Sequence, residues 1–282
     1  MKLFIKPTKG RLFCGLLLSL FSINVFGSEL SLLFGQERWH YTEADNNNVE
    51  LDRETGWLNQ VGITSLVQLT PHWLAHTQIQ RTNGTLKYTG HTQAGQSHST
   101  HTDTRGGLYT LTGRYYLNGY SPFSTRNFYF GTGIQHQTWS REIRAANGVS
   151  HLNEYYRWLG ARLEAGYTQP LHPKMRLELG ASTSWLIGSM EIDLTETPNT
   201  RHNFGRPTVK LNNGYEINSS LLLKWQLKGP IQLLVSYQIG YRYFPASNDI
   251  TASNGTRSIT LHEPKSSNYF HAVNLGLGYI FQ

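Results

Sequence analysis

Glu191 and Asp193 flank Ile192, a spacing that puts both carboxylates on one face of an extended chain. Two carboxylates so placed can divide the acid and base work of activating a water. His91, His98, His101 and Asp103 form a second group rich in metal-binding side chains. Zinc and copper accept such ligands, but the spacing fits no ligand template. Ser99 beside His98 pairs a nucleophile with a base, yet no acid stands near to orient the histidine. No Gly-rich phosphate loop follows a strand and opens a helix. These residues therefore assign no catalytic group, no metal site and no cofactor.

The elements that would have to position any such group begin after residue 27. Lys2, Lys6, Lys9 and Arg11 precede the apolar run Leu12–Val25, and small or β-branched residues at Val25 and Gly27 suit a cleavage site before Ser28. This pattern predicts an export signal peptide over 1–27 and a mature chain over 28–282. The run is shorter than the roughly twenty residues a membrane helix requires. The signal peptide holds four bases and no acid, so the net charge falls from +7 to near +3, with 21 basic side chains against 18 acidic. Such a balance gives no reason to expect nucleic acid as a partner. The one cysteine, Cys14, lies in the same apolar run, so disulfides and thiolate metal sites are excluded from 28–282.

From there the chain alternates. Val273, Leu275, Leu277, Tyr279 and Phe281 share one face of the last strand, opposite Asn274, Gly276 and Gly278. The same period of two runs through Leu233–Tyr243, Ile217–Leu227, Leu177–Ile187, Leu159–Tyr167, Phe128–Ile134, Tyr109–Leu117 and Trp57–Leu69. Two weaker strands cover Leu30–Tyr41 and Trp73–Gln80, making ten. Pro71, Pro122, Pro170 with Pro173, and Pro230 mark short turns, while long polar segments fall near 42–55, 82–105, 141–154, 190–213 and 245–267. Large apolar residues on one face, small or polar ones on the other, and long connections at every second position predict an all-β, ten-stranded antiparallel transmembrane β-barrel. Its short turns would be periplasmic and its long loops extracellular. A β-sandwich also alternates, but nothing in it requires every second connection to be long.

The segment Asn274–Phe281 resembles the C-terminal assembly signal of outer-membrane barrels, with Gln282 added after the usual terminal aromatic. That resemblance implies contact with the barrel-assembly machinery and residence in the bacterial outer membrane. The inward phase includes Glu37, Arg114, Arg162, Glu164, Glu178, Lys224 and Arg242. A barrel of this size is filled by side chains, so these charges should pair with one another, and a narrow channel is the less favoured reading. The predicted loops carry Arg141, Arg144, Arg201, Arg206, Lys210, Arg257 and Lys265, which suit the phosphates of lipopolysaccharide.

Ten strands and five long loops also resemble the omptin family of outer-membrane proteases across the whole mature chain. The resemblance implies an acidic pair near the second loop and an Asp–His pair near the fourth. The second loop here runs Tyr88-Thr89-Gly90-His91-Thr92-Gln93-Ala94-Gly95 with no acidic pair, and no histidine accompanies Glu191 and Asp193. The expectation is an omptin-like architecture without the omptin catalytic residues. Such a protein would be a non-enzymatic barrel touching outer-membrane lipid, lipopolysaccharide or an external partner, with a surface protease or other hydrolase as the alternative.

Overall fold

The computed structural model describes residues 28–91, 97–123, 126–146, 151–195 and 203–281. The expected signal peptide, Arg201 and Gln282 lie outside them. Ten antiparallel strands close on themselves in chain order: β1 (Glu29–Ala44), β2 (Glu50–Gln68), β3 (Trp73–His91), β4 (Ser97–Tyr116), β5 (Asn127–Ile143), β6 (Leu152–His172), β7 (Met175–Asp193), β8 (Thr208–Gln226), β9 (Ile231–Phe244) and β12 (Lys265–Ile280). A small hairpin of β10 (Ile250–Ser253) and β11 (Ser258–Leu261) lies in the connection before β12. Strand β12 pairs with β1 from Glu29↔Ile280 to Ala44↔Lys265, so no edge is left open.

The alternation decides which way each residue points. Leu32, Phe34, Ile63, Leu111, Phe130, Ile134, Leu163, Ile187, Ile217 and Leu277 all face outward and are exposed, and together they girdle the barrel. A tilted strand needs about 9–11 residues to cross a bilayer core. These strands have 14 to 21 residues, so they continue well past the apolar girdle. The excess lies at one end. Much of the segments expected as loops, 42–55, 82–105 and 190–213 among them, is paired strand, because polar residues can still build a ladder beyond the girdle. Between the strands at this loop end the described residues are 45–49, 144–146, 151, 194–195, 203–207 and 245–264.

At the turn end the described residues between strands are 69–72, 117–123, 126, 173–174 and 227–230. The chain after β4 is pinned by hydrogen bonds to its neighbours. Tyr120 N donates to Pro71 O at 2.6 Å, Asn127 Nδ2 donates to Gly119 O at 2.6 Å, and Gly119 takes a φ of +72° that the tight turn requires.

Candidate functional site

The inside of the barrel is stratified. Nearest the turn end, Arg114 contacts Glu164 at 2.6 Å and Glu178 at 3.2 Å. Arg176 lies 3.7 Å from Glu29 and 3.5 Å from Glu178, and both Lys224 and Tyr120 bond Glu29. A chamber of about 150 Å³ adjoins these groups, room for about five waters at roughly 30 Å³ each. Further along, Arg242 grips Glu216 with two nitrogens at 2.6 and 2.7 Å, and Gln60 donates to Glu37 at 3.0 Å. Arg162 reaches Gln135 at 3.2 Å and Glu164 at 3.5 Å. All seven inward charges expected from the alternation thus face the lumen, and all seven have polar partners.

Above the Arg242 layer the lumen turns apolar. Trp39, Trp139, Trp158, Phe244 and Phe270 pack with Leu58, Leu86, Leu186 and Leu211 into one buried cluster. Trp39 lies 5.5 Å from Trp139 and 6.5 Å from Phe270, and Trp158 lies 5.5 Å from Phe244 between ring centroids. Glycine makes the space for this stopper. A Cβ at Gly160 would stand 2.6 Å from a Leu186 methyl, and one at Gly240 2.4 Å from the Phe270 ring.

At the loop end, beyond the girdle, sits a buried cluster built around Arg141. Arg141, expected on an exposed loop, is 1% exposed. It belongs to β5, on the inward phase with Gln135 and Trp139. Its guanidinium contacts Glu43 at 2.6 Å, Glu154 at 2.7 Å, Glu54 at 3.1 Å and Asp52 at 3.2 Å. It also lies over the rings of Tyr41 and Trp139, 4.7 and 5.3 Å from their centroids. Glu263, from the segment between β11 and β12, joins them through the Tyr156 hydroxyl at 2.9 Å. Five buried carboxylates therefore surround one cation.

Burial pushes the carboxyls of Asp52, Glu154 and Glu263 up, against the pull of Arg141, and the neighbouring carboxylates add to the rise. Asp52 Oδ1, Glu54 Oε2 and His98 Nε2 are buried without hydrogen-bond partners among the described residues. One level of the inner face carries Asp52, Gly90 and His98 on neighbouring strands, with the Tyr88 ring 6.0 Å from that of His98.

The other candidates do not converge. Glu191 and Asp193 alternate with buried Met190 and Ile192, which places them on the outer face. Asp193 there pairs with Arg206 at 2.7 Å and accepts from Thr195. His98 points inward whereas His91 and His101 are exposed on the outer face, and Asp103 is taken by Arg144 and Thr85. Hydrogen bonds from Arg144 and Thr85 hold the Asp103 carboxyl below its usual value. Ser99 donates to Tyr88 O at 3.2 Å. Lys210 belongs to β8 rather than to a loop, Lys265 starts β12 and bonds Asn48, and Arg257 lies in the small hairpin turn.

The acids at the mouth were legible in phase. Glu43 follows Glu37, Trp39 and Tyr41 at steps of two, and Glu54 stands in step with Leu58 and Gln60. The alternation loses them because the outward residues of these strands turn polar past the girdle.

No family model matches the chain, and no curated protein matches its sequence. Solved structures do match. The crystal structure of the outer membrane protease OmpT from Escherichia coli superposes with a TM-score of 0.61 at 12% identity, over 92% of this chain and 98% of that one. OprG from Pseudomonas aeruginosa gives 0.41 at 12% identity over 91% and 97%, and the Bordetella BrkA β domain 0.44 at 14% over 91% and 100%. The chain has the fold of the outer-membrane β-barrels. Within that class its closed barrel of ten strands has the omptin-like architecture.

Proposed function

We propose that this protein is exported by a cleaved signal peptide and serves in the bacterial outer membrane as a closed, non-conducting, non-enzymatic barrel that binds lipopolysaccharide on its outer wall. The aromatic stopper carries this reading, because it crosses the lumen between two polar layers. The partner reading rests on a different set of bases from the loop arginines. Arg38, Arg81, Arg105 and Arg157 face outward on strands near the edge of the apolar girdle, Lys87 follows further along β3, and all five stand outside the exposed ion pairs Arg53–Glu50, Arg144–Asp103 and Arg206–Asp193. Arg81 lies opposite Gly107, where a Cβ would come within 3.3 Å of its Nη1, and it donates to Tyr109 OH at 2.7 Å. Arg105 is its diagonal neighbour. Two guanidiniums at a girdle edge suit a lipid phosphate, since Arg meets phosphate with paired hydrogen bonds. On β8 and β9 the same edge bears Tyr215, Tyr241 and Tyr243 instead.

Purified protein should give no stable conductance steps in planar bilayers and should bind lipopolysaccharide in a salt-sensitive manner. Arg81→Ala/Arg105→Ala should weaken that binding by roughly tenfold or more, the worth of one charged hydrogen bond. Steady conductance, or unchanged binding by the double variant, would refute the corresponding half of the proposal. A surface hydrolase is the second reading, favoured by the carboxylates gathered at the mouth. Turnover of a peptide or lipid A panel that is lost in Glu154→Gln would establish it.

A further inference from the structure

The small hairpin is tied to the barrel mouth by one side chain, Glu263, which shares the single proton of a phenol with a second carboxyl. Ile250 and Leu261 pack against the aromatic stopper, Ala252 is buried, and Ser247 N donates to Glu263 O at 2.9 Å. Glu263 then enters the mouth and is itself buried. Its Oε1 lies 2.9 Å from Tyr156 OH and 3.5 Å from Tyr41 OH.

Both hydroxyls are already engaged. Tyr41 OH donates to Glu43 at 2.8 Å. Tyr156 OH lies 3.1 Å from Glu154 and accepts from Arg141 Nη1 at 3.2 Å. A phenol has one proton to donate. Tyr156 cannot donate to both Glu154 and Glu263, so one of these carboxyls must supply a proton of its own. Arg141 contacts Glu43, Asp52, Glu54 and Glu154 but not Glu263. The carboxyl without a guanidinium is the one that gains most from staying neutral. With the proton on Glu263, Tyr156 donates to Glu154 and accepts from both Glu263 and Arg141, and the hydroxyl is satisfied.

We infer that the segment 245–264 is a proton-locked cap, which closes the barrel mouth while Glu263 is neutral and lifts when Glu263 ionises. The charges that face Glu263 make the lock strong. Glu43 comes from β1, Asp52 and Glu54 from β2, and Glu154 from β6, against Arg141 of β5, while Arg242 of β9, paired with Glu216, lines the same small cavity. His98 of β4 and Tyr88 of β3 lie beside Asp52, and Asp249 and His262, 3.5 Å apart on the cap, are exposed. A further negative charge would sit among four carboxylates that already share one guanidinium. Burial and these neighbours push the Glu263 carboxyl well up. The closed cap thus binds one proton more than the open cap. Closure is complete at low pH and is lost as pH rises through the raised value.

The test uses the protein purified from membranes in detergent. Ala252→Cys reports the covered side of the cap and Ser258→Cys its exposed side. The ratio of their maleimide-labelling rates, read at the engineered cysteine by peptide mapping, is compared with the same ratio in Glu263→Gln, which carries the same difference in ionisation between a covered and an exposed thiol. That ratio should rise about tenfold or more between about pH 5 and about pH 9. With Glu263→Gln it should keep its low-pH value throughout, and with Tyr156→Phe the rise should move to lower pH. A flat ratio without these substitutions, or an unchanged rise with Glu263→Gln, overturns the inference. Should Glu263→Gln not fold, hydrogen exchange of the Ile250–Leu261 amides in the unaltered protein decides. Protection that does not fall with pH, after the intrinsic rate is removed, also overturns it.

Discussion

Arg141 shows what the type of a residue says and what it does not. An arginine at the edge of a polar segment reads as solvated surface, and only its phase with Gln135, Gln137 and Trp139 separates the two faces. Odd positions of β5 continue inward through Trp139 to Arg141. Glu37, Arg114, Arg162, Glu164, Glu178, Lys224 and Arg242 were legible because each sits inside a stretch whose other face is plainly apolar. Arg141 and its partners lie beyond the girdle, where that contrast ends. Replacing Arg141 by Met would strand four buried carboxylates, so at neutral pH it should cost about 3–5 kcal/mol. The cost should shrink as pH falls, because the stranded carboxylates can then take up protons. Urea unfolding of the heat-modifiable form in micelles measures both. By contrast, Glu191→Ala/Asp193→Ala changes groups on the outer face, and the unfolding midpoint should stay where it is.

The strands were legible in number, order and facing, but not in length. Alternation is readable only where one face meets an apolar medium. Past the girdle the outer face turns polar, while the inner face of β1, β5 and β6 turns aromatic through Trp39, Trp139, Tyr156 and Trp158. The rule that large residues point outward therefore reverses at the loop end. The hairpin β10–β11 was hidden for another reason, since four-residue strands leave almost no periodic signal. At the closure of the barrel the alternation stays legible to the end of β12. Tyr279 and Phe281 meet edge to face at 5.0 Å, and Phe281 N donates to Ser28 O at 2.9 Å, beside the last β1–β12 pair. Phe281→Ala removes apolar area worth roughly 1.5–3 kcal/mol and damages the assembly signal. It should sharply lower the folded, heat-modifiable protein in the outer membrane, whereas deleting Gln282 should leave that amount unchanged or higher. The opposite pair of results would shift the register of the last strand.

For the whole molecule, the two ends differ enough to orient it. The loop end carries the long polar ladders and the cap, while the connections at the turn end carry Pro71, Pro122, Pro173 and Pro230. A tag near Gly255 should be reachable on intact cells and one near Pro230 should not, and the reverse pattern would invert the barrel in its membrane. Between the ends, the turn-end chamber and the acidic mouth are both polar and both hold charge, yet an apolar layer keeps them apart. Trp39 and Trp139 stand at its centre, 5.5 Å apart, with Tyr41 4.8 Å from Trp139. Their indole nitrogens are buried and lack hydrogen-bond partners among the described residues, so the rings are held by packing and not by a polar network. Trp39→Ala/Trp139→Ala removes two large side chains from one level of the lumen without touching the ladder or the girdle. The hole would be lined by Arg141 and its carboxylates on one side and by Arg242, Glu216 and Glu37 on the other, which is polar enough to admit water. The double variant should assemble in reduced amount, because deleting an aromatic core side chain costs about 3–5 kcal/mol. The molecules that do assemble should conduct in planar bilayers, with cations favoured over anions by the excess of carboxylates at the mouth. A folded double variant as tight as its parent would place the seal elsewhere, in the Arg242–Glu216 layer, and Arg242→Ala/Glu216→Ala would then be the pair that opens it.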